Sequence, residues 1–502
     1  MIMRILSIIT IAALVFSTSC NKFLDVKPKG KLIPQEIADY NHLLDNEDIV
    51  KYIFLDNNTG CMLGYMTDNM NMSEGTGKVI YIGNSSPNLD RYYGYIFRAP
   101  YKNPNTLDYF WEWGTYRSMK YFNNVIDGIN GIRNSDNAAE ADAVLAQAYT
   151  NRAWAYFHTV MIYGPVYKPG GNNNAKVLPY VTSSNITDPV PDLSTQEEVM
   201  TKVLADLHKA LPVAPASTNF PSRPNKTATQ AMLAYYHLFT GKYDSVAYYA
   251  NLAWTAATAQ GVDKVLYDYN ALSFADPVNP SKSAIKSPDN KIYTAGSRET
   301  LLFRASDQTG GQMYPSDEFI ALFDPAKDLR YKYFFQLAPG FKGTYLGVTY
   351  DDGNRLQYYR GTGRFTMTGG FTYPELLLMR AEGYARTNKL AEAMADLNTL
   401  RQYRFVSGTP PLTMPASQDA VIQLVLDERR RELPLGHIKR FMDLKRFAAE
   451  PGKPWSKTKI VHQLGAQTFE GIIDSPAFIL PISNTILTYN PQWGIPLDTR
   501  PY

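Results

Sequence analysis

Cys20 and Cys61 are the only thiols in 502 residues, and Cys20 stands where an apolar run gives way to a polar chain. Ahead of it, Arg4 gives a positive start, Ile5 to Phe16 form the apolar run, and Ser17, Thr18 and Ser19 are small. About a dozen apolar residues suit the core of a secretory signal peptide, whereas a helix needs roughly 20 to span a bilayer. Residues 1–19 are therefore read as a signal peptide, whose removal leaves the Cys20 thiol at a new N-terminus, open to acylation. Each buried methylene of an attached chain adds about 0.8 kcal/mol to membrane retention, so several chains on Cys20 hold the protein at a membrane surface. Cys61 then lacks a partner and is expected to be packed or unused.

The second chemistry is that of rings, since 36 tyrosines dominate the aromatic residues. Residues 49–106 are rich in Asn, Gly and Tyr and keep no apolar period of 3.6, so they read as irregular. They carry Tyr65, Tyr81, Tyr92, Tyr93, Tyr95 and Tyr101, with Asn69, Asp90 and Arg91 among them. A later irregular stretch, 261–372, adds Tyr293 and Tyr314 on either side of "ETLLFRAS". Neutral sugars stack their C–H faces on such rings while Asn, Asp, Arg or Gln fix their orientation by hydrogen bonds. These residues are the candidate ligand-binding set, although for any single ring a place in a tyrosine-rich core is the commoner explanation. Trp111 and Trp113, at helical spacing beside Tyr116, are expected in the core.

Other chemistries find little support. A formal net charge of +3 with no basic tract argues against nucleic acid as a partner. Two cysteines and six histidines without a His-x-x-x-His pair give little basis for a zinc or iron site, and no cofactor is expected, while the residues do not decide whether calcium sits in the Asp- and Asn-rich loops. A glycoside hydrolase needs two carboxylates across a cleft, and nothing in the spacing of 47 acidic residues singles out a pair. The chain is read as a binding protein and not as an enzyme.

Loops that hold a ligand need a rigid support, and the sequence provides one. Helical patterning covers 34–48 and returns in "LDYFWEWGTYRSMKYFNNVIDGI" and "AEADAVLAQAYTNRAWAYFHTVMIYG". Arg152 lies in the middle of the apolar face of the second helix and is expected to pair with a carboxylate inside the helix array. "ATQAMLAYYHLFTGKYDSVAYYANLAW" and "PELLLMRAEGYARTNKLAEAMADLNTLR" superpose at a constant offset, with Thr240-Gly241-Lys242 on Thr387-Asn388-Lys389. Each copy reads as a helical hairpin of tetratricopeptide type whose left-handed stop is Gly241 or Asn388, and such units bury their faces by stacking. Between the copies, Asp352-Gly353 in "VTYDDGNRLQYY" signals a β-hairpin. Beyond them, Ser417 is a candidate N-cap, and the mixed charges from Glu428 to Arg446 are read as lacing helices together. The expected fold is mainly α: one domain, 20–502, with a tetratricopeptide-like helical-hairpin scaffold (34–260 and 373–446). It bears a large irregular, β-containing loop face (49–106 and 261–372).

Taken in order, Cys20 with "FLDVKPKG", "WGTYRSMKYFNNVIDGI", "AQAYTNRAWAYFHTVMIYGPV", "YPELLLMRAEGYAR", "LDERRRELPLGHIKRFMDLKRF" and "ILPISNTILTYNPQWGIP" resemble the SusD-like (RagB/SusD) outer-membrane lipoproteins of Bacteroidetes. The resemblance runs nearly end to end. It implies paired helices with an irregular face, no catalysis, a lipid anchor at Cys20 and a place on the outer-membrane cell surface. It also implies a SusC-like TonB-dependent transporter as partner, to which a captured glycan, or in some branches a peptide, is delivered for import. A protein-binding tetratricopeptide lipoprotein and a glycoside hydrolase stand as alternatives.

Overall fold

A computed structural model of the chain describes residues 34–50, 62–83, 89–280, 283–306, 314–358, 367–433 and 437–502. The signal peptide, Cys20 and Cys61 lie outside the described residues. Among the helices are α1 (Ile37–Leu43), α2 (Leu89–Tyr95), α3 (Arg117–Ile132), α4 (Ala138–Tyr163) and α5 (Gln196–Ala210). The two repeats form α6 (Lys226–Phe239) with α7 (Tyr243–Ala257), and α8 (Tyr373–Arg386) with α9 (Leu390–Arg404). They are followed by α10 (Gln418–Glu432) and α11 (His437–Ala448).

Local chemistry sets the helix ends. Asn225 accepts from the Ala228 amide to start α6, Thr372 from Glu375 to start α8, and Ser417 from Ala420 to start α10. Both repeat hairpins turn as the sequence requires, with Gly241 at φ +68° and Asn388 at φ +61°. The repeats then stack: α7 packs on α8, and a Cβ placed on Gly383 would lie 2.6 Å from the Ala247 backbone nitrogen. Only glycine permits that approach. α4 is buried on nearly every side from Val144 onward, so it forms the centre of the array instead of showing a single apolar stripe.

Buried charges lace the helices. Arg152 of α4 donates through Nε and Nη2 to both oxygens of Asp206 on α5, at 2.8 and 2.9 Å, and through Nη1 to Asn123 of α3. Arg429 of α10 reaches Asp443 on α11 at 2.8 Å and Glu375 on α8 at 3.0 Å. Arg446 of α11 donates to Glu382 of α8 at 2.9 Å. Ions this deep persist only when paired, so the dense charges near the C-terminus serve packing.

A second apolar cluster lies beside the helical core and draws on both irregular stretches. Tyr65, Met70, Tyr81 and Tyr95 meet Tyr267, Phe319, Phe335 and Tyr358 there, with Leu464. Next to it stands a long ribbon of β1 (Phe335–Pro339), β2 (Lys342–Tyr345), β3 (Val348–Asp351) and β4 (Asn354–Tyr358). Here the structure corrects the sequence reading. β2 pairs with β3 and β1 with β4, so the chain reverses at Leu346 (φ +47°) and Gly347 (φ +80°). Asp352-Gly353 is a kink in the return strand facing Gly340 and Phe341, since the buried Phe335–Tyr358 pair fixes a longer register. A last hairpin, β5 (Lys459–Leu464) with β6 (Gln467–Ile472), turns inward Ile460, His462 and Leu464.

Candidate ligand-binding hollow

Two short segments from 49–106 build the site. Thr76–Gly83 coils as a π-helix, and α2 lies against it. Gly77 makes the approach possible: a Cβ there would stand 3.3 Å from Tyr92 and 3.2 Å from Leu464. Between the two segments and the end of the chain opens a hollow of about 610 Å³. Tyr81, Tyr92, Tyr93 and Tyr502 supply rings, Ile82, Leu89 and Ile96 supply aliphatic surface, and Arg98 supplies the one charged side chain in the lining.

The rings form a connected series. Tyr65 meets Tyr81 edge-on at 6.5 Å, Tyr81 stacks on Tyr92 at 6.4 Å, and Tyr92 tilts against Tyr93 at 6.0 Å. Tyr502 then stands edge-on to Tyr93 at 5.2 Å. Offset and edge-on pairs of this kind are mutually favourable and fix the rings before any ligand arrives. Beneath them, the Tyr95 ring lies 4.2 Å from and parallel to the His462 imidazole, and its hydroxyl donates to the Gln463 carbonyl. Burial raises the hydroxyl of Tyr92 and pushes that of Tyr95 up to about 12, so both rings are neutral phenols near pH 7.

The candidate residues divide sharply. Tyr81, Tyr92 and Tyr93 reach the hollow. Asp90 lies behind it, where it accepts a hydrogen bond from the Tyr502 hydroxyl, and burial raises its carboxyl. Tyr65, Tyr81, Tyr95, Tyr101 and Tyr314 are all no more than 2% exposed, so packing covers most of their faces and they support the wall, with Tyr81 showing the hollow only an edge. Arg91 and Asn69 are buried too. The Arg91 guanidinium lies over the Tyr65 ring, and Asn69 accepts from Arg430 Nε at 2.7 Å. Tyr314 donates to Asp352 at 2.7 Å. Tyr293 donates to the Tyr269 hydroxyl beside a separate cleft of about 40 Å³, too small for a sugar ring.

Sequence reasoning missed Ile82, Leu89, Ile96, Arg98 and Tyr502. The first four lie in the same stretch as the rings, and the question of what borders them could have found them. Tyr502 carries no local signal, because it reaches the site only through the fold.

A second hollow, of about 480 Å³, lies between α3 and residues 181–191. Its rings, Tyr116 and Tyr180, donate their hydroxyls to the Pro179 carbonyl and to Asp206, and the exposed Ile186 and Val190 lie among polar residues such as Lys120, Asn185 and Asp188. Among the described residues, no group of three or more His, Cys, Asp or Glu could hold a metal ion. No described helix is long and apolar enough to cross a membrane.

Comparison with known proteins gives this geometry its context. A family model described as starch-binding associating with the outer membrane matches residues 22–238, and a second, described as the SusD family, matches 360–492. No curated protein sequence matches significantly. Similar solved structures include a SusD superfamily protein from Bacteroides thetaiotaomicron VPI-5482, 19% identical with TM-score 0.64, covering 91% of this chain and 98% of that one. A SusD superfamily protein from Bacteroides fragilis is 16% identical with TM-score 0.64, covering 92% and 99%. A SusD-like carbohydrate binding protein from Bacteroides vulgatus ATCC 8482 is 16% identical with TM-score 0.60, covering 91% and 97%. Identities this low establish the shared fold, a mainly α array of stacked hairpins. The two family models flank the irregular insertion and between them take in the lead-in segment, the central helices and the second repeat: the chain belongs to the SusD/RagB family.

Proposed function

We propose that the protein is a lipoprotein of the outer-membrane cell surface that captures a glycan in the tyrosine hollow and passes it, unaltered, to a SusC-like TonB-dependent transporter. The observation that carries this reading is the hollow itself: neutral rings on two braced segments, open on one side and sized for several sugar units. Sugars need flat apolar faces with few charges, and the lining offers that. Retention without turnover is supported by a described lining that holds no Asp or Glu side chain, where a hydrolase would place two. The family's outer-membrane description and the acylatable Cys20 support the location. Residues 1–19 are then the signal peptide and 20–502 one binding domain.

The test is calorimetric titration of the purified protein with a panel of oligosaccharides, with the products examined by chromatography. At least one glycan is expected to bind and to be recovered intact. Tyr92→Ala and Tyr93→Ala are each expected to weaken it about tenfold, as loss of about 1.4 kcal/mol of ring contact implies. Tyr248→Ala, an exposed ring away from the hollow, is expected to change nothing. Undiminished binding by the Tyr92/Tyr93 double variant removes the site, and cleavage of the glycan removes the non-catalytic reading. Retention of a peptide in place of any glycan assigns the protein to the peptide-binding branch.

A further inference from the structure

The lining of the hollow has one charged side chain, and no described carboxylate side chain pairs with it. Arg98 is exposed, its guanidinium lies 4.1 Å over the Tyr93 ring, and Nη2 donates to the Pro501 carbonyl at 3.1 Å. Most of the other arginines that bear on the core have a carboxylate partner: Arg152 has Asp206, Arg429 has Asp443, Arg446 has Glu382. The nearest acidic group of the site, Asp90, is turned to Tyr502 and held by its hydroxyl.

Two restraints hold the guanidinium in place. Stacking on Tyr93 fixes its plane, and the bond to Pro501 fixes one edge, so little side-chain freedom is left to lose on binding. What remains is a planar fork of N–H donors at the rim of a row of rings. That fork matches two oxygens of a carboxylate or a sulfate.

Resting on the glycan-binding reading, we infer that the hollow selects anionic saccharides, with a sugar ring on Tyr92 and its carboxylate or sulfate on Arg98. Uronic-acid polymers and sulfated glycans share this chemistry. Glycans that are neutral throughout are the weaker class of ligand.

The experiment compares an oligogalacturonate, a sulfated galactan oligosaccharide and a malto-oligosaccharide of equal length, in 20 and 500 mM salt. At least one anionic probe is expected to bind ten times or more tighter than the neutral one, and high salt is expected to shrink that advantage. Arg98→Gln is expected to erase the advantage while leaving the melting temperature unchanged, and Arg98→Lys to keep a part of it. The sulfated and uronate arms show which anion the fork accepts. The inference is overturned if the neutral probe binds as tightly as both anionic ones, or if Arg98→Gln keeps the preference. Either result leaves glycan capture standing. Failure of all three probes and of a wider panel overturns the capture reading together with this one.

Discussion

His158 shows how one residue sets a response to acid. It lies inside α4 between the Trp154 and Tyr235 rings, 4.2 and 5.9 Å away. Its Nδ1 is 2.7 Å from the Trp154 carbonyl, an acceptor only, so Nδ1 carries the proton and Nε2 is bare. Burial, helped by the nearby Lys439 and Arg304 charges, pushes its pKa down to about 3, and burial takes His237 down to about 4. Both lie below the unfolded value near 6.5, so the unfolded chain binds more protons and stability is lost as pH falls below about 6.5. The buried carboxylate Glu382, held near 2 despite its burial by Arg446 and Arg386, adds its own loss only below its unfolded value near 4.5. Between pH 6.5 and 4.5 His158 and His237, joined by His462, which burial also lowers, each contribute up to about 1.4 kcal/mol per pH unit, opposed by carboxyls that burial raises, such as Asp90 and Glu299. Urea denaturation at pH 7, 6 and 5 is expected to show this decline, and His158→Gln to flatten it by about one proton; an unchanged slope refutes the assignment. At this scale the sequence was partly legible. It placed Arg152 on an apolar face, which demanded a carboxylate, and Asp206 supplies it. It could not say which tyrosines keep a face open, because a ring's type is the same in a core as at a site.

At the scale of elements, the hairpins were legible because a repeat reports the same packing twice. Gly241 and Asn388 stop their helices for the same reason, and small residues mark the helix crossing. Gly383 tests that crossing. Alanine gains about 1 kcal/mol over glycine in a helix interior, but here its Cβ would meet the Ala247 nitrogen, Cα and Cβ at 2.6, 2.9 and 3.1 Å. Backbone atoms cannot step aside, so Gly383→Ala is expected to lose about 1–3 kcal/mol net by overpacking. Gly131→Ala, in open space near the end of α3, is the control and is expected to be neutral or slightly stabilising. Calorimetric melting of both variants decides: equal behaviour would mean that α7 and α8 do not cross so closely. The β-ribbon was less legible. Asp352-Gly353 has the right dipeptide for a reversal, yet the turn lies at Leu346-Gly347. A dipeptide reports what a turn would tolerate, whereas the register comes from strands paired from Phe335 with Tyr358 onward.

At the scale of the whole molecule, the hollow depends on a bond between its wall and the helical stack. Asp68 makes that bond. It accepts from Arg440 Nε and Nη2 at 2.7 and 2.6 Å and from Lys457 at 2.5 Å, with Arg430 at 3.3 Å. Burial alone would raise its carboxyl, but Arg440 and Arg430 outweigh that and hold it well below the usual carboxylate range. Arg430 also donates to Asn69, and His462 sets its two ring nitrogens 2.9 and 2.7 Å from the Thr67 and Tyr95 carbonyls. Segment 62–71 and α2, the supports of the ring series, are thus pinned to α10, α11 and β5 by groups nearly four hundred residues away in sequence. No local pattern reveals such a junction, which is why the rings and the scaffold are legible in the sequence separately but the hollow is not. Asp68→Asn leaves Arg440 without its counter-charge, while Arg430 and Lys457 keep Glu318 at 2.7 Å, so the loss is expected to fall below the about 3–5 kcal/mol of a fully broken buried pair. Because the damage falls at the junction, hydrogen exchange is expected to rise in 62–83 and 89–97 and saccharide binding to fall, while α6 to α9 stay protected. Glu382→Gln removes a partner of Arg446 and Arg386 inside the stack and is expected to loosen α8 and α11 instead, with 62–83 following only on global unfolding. Should both variants give the same exchange map, wall and stack open as one unit, and Asp68 is no separate hinge between them.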